Sequence, residues 1–284
     1  QSVNQGGPMS YKTILVHIDP GRHCEKRLEF AIRLARNHGA CLAGLYVFSP
    51  YLPPGYIMAQ MGAEIEAAQN KIAVESMTRA EEAFRKQTSA AGLANIEWHN
   101  AYDEPVHAVA LHAQYADLVV IGQSDSTDDS GIAMDFPERL VLSNARPVLI
   151  IPHTGDFPSI GKRILVAWNA TQEATRAIAN ATPLLRSAES VYVMAVNCKS
   201  SKNEILRSDN MVGYLERLGI RAEIKDLQNV EIDVGNELLS RASDLSADLM
   251  VMGCYGHSRL KEWVLGGATR TILESMTIPV LMSH

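Results

Sequence analysis

The chain has 284 residues, 46% hydrophobic and 20% charged, with a formal net charge of −6. That length suits two domains with a hydrophobic core each, and the composition excludes global disorder. The acidic balance argues against a nucleic-acid binder, which needs a basic face, and no run approaches the roughly 18 apolar residues of a membrane span.

Gln1–Pro8, ending in Gly6-Gly7-Pro8 ahead of Met9, reads as a tag remnant, and the absence of a signal peptide predicts a cytoplasmic protein. Lys12-Thr-Ile-Leu-Val-His-Ile-Asp19 has the β-branched, leucine-rich character of a buried parallel strand. An amphipathic segment, Glu25 to Asn37, leads to a second strand, Leu42 to Phe48. Tyr51 to Lys86 is an insertion that runs into a long helical stretch from about Ala63 to Ala91. Its apolar residues suit a lid or a partner surface, and packing over the domain's own helices is the favoured reading. Val106 to Tyr115 is amphipathic, Ala116-Asp-Leu-Val-Val-Ile-Gly122 is a fourth strand, and Arg146-Pro-Val-Leu-Ile-Ile151 is the last.

After a short linker, His153 to Gly161, the order restarts. Lys162-Arg-Ile-Leu-Val-Ala-Trp-Asn169 echoes the first strand, Ala247-Asp-Leu-Met-Val-Met-Gly253 the fourth, and Ile278-Pro-Val-Leu-Met-Ser283 the last. Amphipathic segments Glu173 to Leu185 and Val234 to Ser246 lie between them. Echoes in the same order make the chain one α/β unit written twice. Strands alternating with helices imply βαβ crossovers and a mainly parallel sheet covered on both faces, so each half is a doubly wound domain. The expected domains are 9–153 and 162–284, joined by 154–161.

Cys24, Cys41, Cys198 and Cys254 show no CxxC pairing and read as reduced thiols, Cys254 as a small residue filling a tight turn. The histidines have no metal-ligand spacing, so no metal site is expected.

Ligands of an open parallel sheet bind beyond the strands' carboxyl ends, where crossovers diverge. There the second half reads Gly253-Cys-Tyr-Gly256-His-Ser-Arg-Leu-Lys-Glu-Trp-Val-Leu-Gly266-Gly267-Ala-Thr269-Arg, followed by a helix-compatible run, Thr271 to Met276. Gly253 allows a sharp exit from the strand, Gly256 lets backbone approach a ligand, and Gly266-Gly267 precede a helix start that favours an anion. Neither GxxxxGK[ST] nor GxGxxG occurs, which disfavours P-loop NTPases and Rossmann dehydrogenases.

These residues resemble the universal stress proteins, specifically the tandem type, over Met9 to the C-terminus. Nucleotide-binding members carry G-x2-G-x9-G followed by Ser or Thr, and Gly253, Gly256 and Gly266 fit the glycines in register. The resemblance implies ATP or another adenine nucleotide, with Mg2+ as an optional companion. Phosphates would meet the amides of Gly256, His257 and Ser258 and of Gly266, Gly267, Ala268 and Thr269. Adenine and ribose would lie against Asn169 and Val196, beside Met252. The chain departs from the pattern at Gly267, where Thr269 is the nearest hydroxyl, and at Asn169, which replaces an acid; Arg259, Lys261 and Arg270 are candidate phosphate charges.

The first half breaks the pattern after Gly122, with Asp125, Asp128, Asp129 and Asp135 in place of the glycine loop. Carboxylates there repel a triphosphate, so that site is expected to be empty or to hold something other than ATP, and the loop to be solvated. The resemblance further implies two five-stranded α/β domains packed as a pseudo-dimer through their last strands, Pro147 to Ile151 and Pro279 to Ser283. It leaves room for a homodimer and an unnamed protein partner. The functional expectation is a stress or signalling protein governed by nucleotide occupancy. The alternatives are a slow nucleotide hydrolase using His257 or Glu262, and a structural module that binds no nucleotide.

Overall fold

A computed structural model describes residues 10–49, 55–128, 131–196, 208–227, 233–254 and 267–284. In the first half β1 (Thr13–Ile18), α1 (Cys24–His38), β2 (Cys41–Phe48), α2 (Gly55–Ala90) and β3 (Ile96–Tyr102) come first. They are followed by α3 (Pro105–Ala113), β4 (Leu118–Gly122), α4 (Phe136–Ser143) and β5 (Val148–Ile151). The second half repeats the order as β6 (Arg163–Trp168), α5 (Gln172–Ser187), β7 (Ser190–Val196), α6 (Ser208–Arg217) and β8 (Ala222–Leu227). It ends with α7 (Val234–Asp244), β9 (Leu249–Gly253), α8 (Gly267–Ser275) and β10 (Val280–Ser283).

Local chemistry sets several helix ends. α1 stops at Gly39, whose φ of 62° turns its N–H back onto the carbonyls of Ala35 and Arg36. α3 starts with Pro105 behind Glu104, whose carboxylate accepts from the His107 N–H, and α5 starts behind Thr171, whose hydroxyl accepts from Ala174.

The ten strands form one sheet in the order β3-β2-β1-β4-β5-β10-β9-β6-β7-β8. Pairing is parallel within each half and antiparallel at the centre, where Val280, Leu281 and Met282 face Ile150, Leu149 and Val148. All six are fully buried. The last strands therefore cover each other's exposed edges as expected of a pseudo-dimer. Tyr11 of the first half donates to the Asn180 carbonyl of the second at 2.7 Å, so a polar contact joins the halves as well, and Asn180 Nδ2 in turn donates to Ser283 Oγ of its own half at 3.0 Å.

Strand side chains alternate between two cores. Ile14, Val16, Leu118 and Val120 pack with residues of α1 and α5, whereas Leu15, Val119 and Ile121 pack with residues of α3, α4, α7 and α8. The long helix α2 exceeds its expected span by starting at Gly55. Its second part packs through buried Phe84 against Trp98, with ring centroids 5.1 Å apart. Gly44 makes this possible, because a Cβ there would lie 2.8 Å from both aromatic rings. The contact lies on β2 and β3 rather than over helices alone. Ile72 and Val74, earlier on α2, are exposed.

Candidate functional site

In each half the first crossover leaves to one face and the crossover after the fourth strand leaves to the other. β1 and β4, and likewise β6 and β9, therefore flank a switch point whose carboxyl-end mouth is the place for a ligand. The two mouths share a frame and differ in what fills it.

At the first mouth Asp19 follows β1 and Gly122 ends β4. Between them lies Arg27, a cation at a position where amphipathic α1 otherwise turns apolar residues inward. It is buried, donating through Nε to the His17 carbonyl at 2.9 Å and through Nη2 to Asp19 at 2.6 Å. Burial by itself raises the Asp19 carboxyl, but the Arg27 charge outweighs it, with help from His17 and the Gly21 N–H, and the net shift is downward. Arg27 lies so close to the end of β4 that a Cβ on Gly122 would stand 2.4 Å from its Nη1.

What remains is a cleft of about 30 Å3, room for about one water, whose lining includes His17, Asp19, Arg27, Ser124, Asp125 and Phe136. His17 is 1% exposed, with its ring 5.0 Å from that of Phe136. Burial pushes its pKa down to about 4. The adjacent Asp19 opposes that shift and Arg27 adds to it, leaving a neutral imidazole at pH 7. His17 Nε2 and Ser124 Oγ are both buried without a hydrogen-bond partner.

The acidic run beyond Gly122 is not the solvated loop that composition predicts. Asp125 is 12% exposed, accepting from Thr127 Oγ1 at 2.7 Å, the Thr127 N–H at 2.8 Å and His23 Nε2 at 3.0 Å. The Thr127 bonds, seconded by His23, hold its carboxyl far below the usual range. Asp128, 17% exposed, lies 3.7 Å from Arg22 Nε. Asp125 and Asp128 thus have partners at the start of α1, whereas Asp135 stays exposed, 4.0 Å from Arg139, and Asp129 lies outside the described residues. The described residues contain no group of three His, Cys, Asp or Glu that could hold a metal ion.

At the second mouth Asn169 is exposed, and its Oδ1 accepts from Thr171 Oγ1 at 2.9 Å, which ties it to the cap of α5. Ala177, buried, stands in sequence register with Arg27 of the first half. A Cβ on Gly253 would lie 2.3 Å from the Ala174 nitrogen and 2.4 Å from the Glu173 carbonyl carbon. Gly253 is therefore required for the close approach of α5, and it is not among the glycines of positive φ that a sharp strand exit would demand.

Met252 is buried in the core shared with α7 and α8, so it reaches the mouth through its backbone. Val196 ends β7, opposite Leu227. α8 begins at Gly267, four residues before the expected helical run, and among the described residues nothing lies within 4 Å of a Cβ position on that glycine. Ala268 is half-buried and Thr269 is buried, so the hydroxyl expected to replace the missing Ser or Thr is turned inward. Arg270 is engaged by Glu274 at 2.7 Å. Cys254 is buried with Sγ 3.2 Å from the Ser283 carbonyl, and burial drives its thiol well above the ordinary range, as suits a turn-filling residue. Gly256, His257, Ser258, Gly266, Arg259, Lys261 and Glu262 lie outside the described residues.

Sequence reasoning missed Arg27, His17 and Gln123. The signal lay in aligning the two copies: Arg27 and His17 stand opposite Ala177 and Ala167, so two polar residues replace alanines beneath one mouth.

The architecture is that of two parallel, doubly wound α/β domains fused edge to edge, each with a mouth at its switch point. The model of the universal stress protein family matches residues 10–152 and again 161–284, and the chain belongs to that family, carrying its domain twice. A curated universal stress protein from Synechocystis sp. is 27% identical over 173 residues. That match covers 58% of this chain and 57% of the relative, so the chain spans little more than half of the relative's length. Among solved structures, a universal stress protein from Archaeoglobus fulgidus is 16% identical, covers 95% of each chain and superposes with a TM-score of 0.67. A functionally unknown protein from Pseudomonas aeruginosa, also 16% identical, gives a TM-score of 0.60 over 96% of this chain and 92% of its own. At those identities the structural likenesses establish the fold. No described helix is long and apolar enough to cross a membrane.

Proposed function

We propose that the second half binds an adenine nucleotide, with ATP as the reference ligand, and that occupancy of this one mouth, rather than rapid turnover, is the protein's working signal. The observation that carries the reading is the difference between the two mouths. The first is filled from within by the Arg27–Asp19 pair and rimmed by carboxylates. At the second, alanine stands in Arg27's place, the strand-end amide of Asn169 is exposed, and α8 opens on an exposed glycine with no described residue within 4 Å of a Cβ position. A helix start with exposed amides favours phosphate, and the G-x2-G-x9-G spacing agrees with that placement. Asn169 can offer both a donor and an acceptor to a base or ribose. With no metal-binding cluster among the described residues, a Mg2+ would enter on the phosphates rather than on a protein cage.

Calorimetric titration with ATP, together with mass spectrometry of protein denatured directly after purification, tests this. One nucleotide per chain is expected. No heat up to millimolar ATP and no co-purified nucleotide would overturn the reading.

A further inference from the structure

We propose that Gln123, a residue of the first half, is a positioning residue for α8, so that the first switch point holds the phosphate-facing helix of the second. The inference rests on the nucleotide reading for its consequence, though not for its geometry. Gln123 directly follows β4, is buried and belongs to the lining of the first cleft. Its Nε2 donates to the carbonyl of Leu273 at 2.9 Å and to that of Glu274 at 3.3 Å. These lie in the last turn of α8, where carbonyls lack intrahelical partners and a side-chain donor caps the helix. α8 has no basic residue of its own in that turn.

The orientation of the amide is determined. Gln123 Oε1 accepts from the His153 N–H at 3.2 Å, and a backbone N–H can only donate, so the NH2 group must face α8. A second support presses on the middle of the same helix: a Cβ on Gly235 of α7 would lie 2.7 Å from Cβ of Thr271. A nine-residue helix, roughly 13 Å long, that is fixed at its middle and its end has its first turn fixed as well. That first turn carries Gly267, Ala268 and Thr269.

The support runs one way among the described residues. The counterpart of Gln123 is Cys254, which turns its sulfur to the Ser283 carbonyl, and Asn144, at the end of α4, donates to the Arg146 carbonyl beyond that helix. The first half, whose own mouth is filled, has kept a structural role at the mouth of its neighbour.

Gln123→Leu keeps the approximate shape and removes the donor, while Gln123→Lys restores a donor that also suits a helix carboxyl end. The measurements are backbone hydrogen exchange across α8 in the free protein and calorimetric affinities for ATP and for adenosine. For Gln123→Leu we expect faster exchange in α8 and about tenfold weaker ATP binding with adenosine affinity unchanged, because only phosphates meet this helix. Gln123→Lys should recover most of both losses. Unchanged α8 exchange, or an equal fall in ATP and adenosine affinity, would overturn the proposal. If the unaltered protein binds neither ligand, the nucleotide reading fails, and the exchange comparison alone decides whether Gln123 holds α8.

Discussion

At the first switch point the strand-end carboxylate of Asp19 is held by a guanidinium that rises from the second turn of α1. At the second, the corresponding helix comes in closer, its backbone resting on Gly253, and the strand-end residue is an uncharged amide open to solvent. Two copies of one fold thus differ at the same mouth without any change of topology. One long cation at a helix position that faces the first mouth fills it, and the loop beyond Gly122 is acidic where the second copy carries glycines. The loop difference is conspicuous in the sequence, but the helix difference explains why the first mouth is filled.

The hardest way to break this comparison is Arg27→Ala. It strands Asp19 in a buried setting, and the loss of a buried pair's partner destabilises by about 3–5 kcal/mol. The double variant with Asp19→Asn should recover most of that loss, as read from urea midpoints. Equal midpoints for Arg27→Ala and the unaltered protein would show that the pair does not fill the mouth.

Acidification sharpens the contrast next, because the protonatable groups beneath the first mouth have alanine and asparagine as counterparts. His17 titrates near 4 in the folded protein and near 6.5 when unfolded. Between those values the unfolded chain holds a proton that the folded chain lacks, so stability falls as pH drops, by at most about 3 kcal/mol. Asp19, also shifted down, pulls in the same direction once pH falls below its unfolded value. Replacing His17 with Gln should flatten the pH dependence between 6.5 and 4; a slope identical to that of the unaltered protein would refute the assignment.

The smallest pair of effects is Gly253→Ala against Gly122→Ala. The first drives a methyl into helix backbone, where overpacking costs about 1–3 kcal/mol, and the second meets the end of a side chain that has some room to give. Thermal or urea unfolding should rank Gly253→Ala as the worse, and the reverse order would contradict the closer approach of α5.

Much of this was legible in the chain. Echoed strands with β-branched cores announced the repeat, and the pairing of the last strands came from the resemblance to the universal stress proteins. The ends of α1, α3, α5 and α7 shifted by at most two residues because caps such as Thr171 and Gly39 were not weighed, whereas α2 and α8 begin eight and four residues earlier than expected. Gly253 was chosen rightly as a glycine but for the wrong reason, since a demand for close approach is set by a helix that arrives from elsewhere in the chain. The acidic loop misled because composition counts charges without their partners. Asp125 looks solvated until Arg22 and His23, about a hundred residues earlier, are brought beside it. Thr269 was offered as a hydroxyl for phosphate, and helix phase turned it inward.

The antiparallel seam between β5 and β10 has a consequence for mass action. Two separate domains meeting along such an edge would come apart on dilution, with a stability that depends on concentration. Here a linker of a few residues makes the encounter intramolecular, so the two edges face each other at a fixed effective concentration whatever the amount of protein present. Division of labour between the halves then becomes stable. A half with a filled mouth is never exchanged for one without, and every molecule carries the same two unlike mouths.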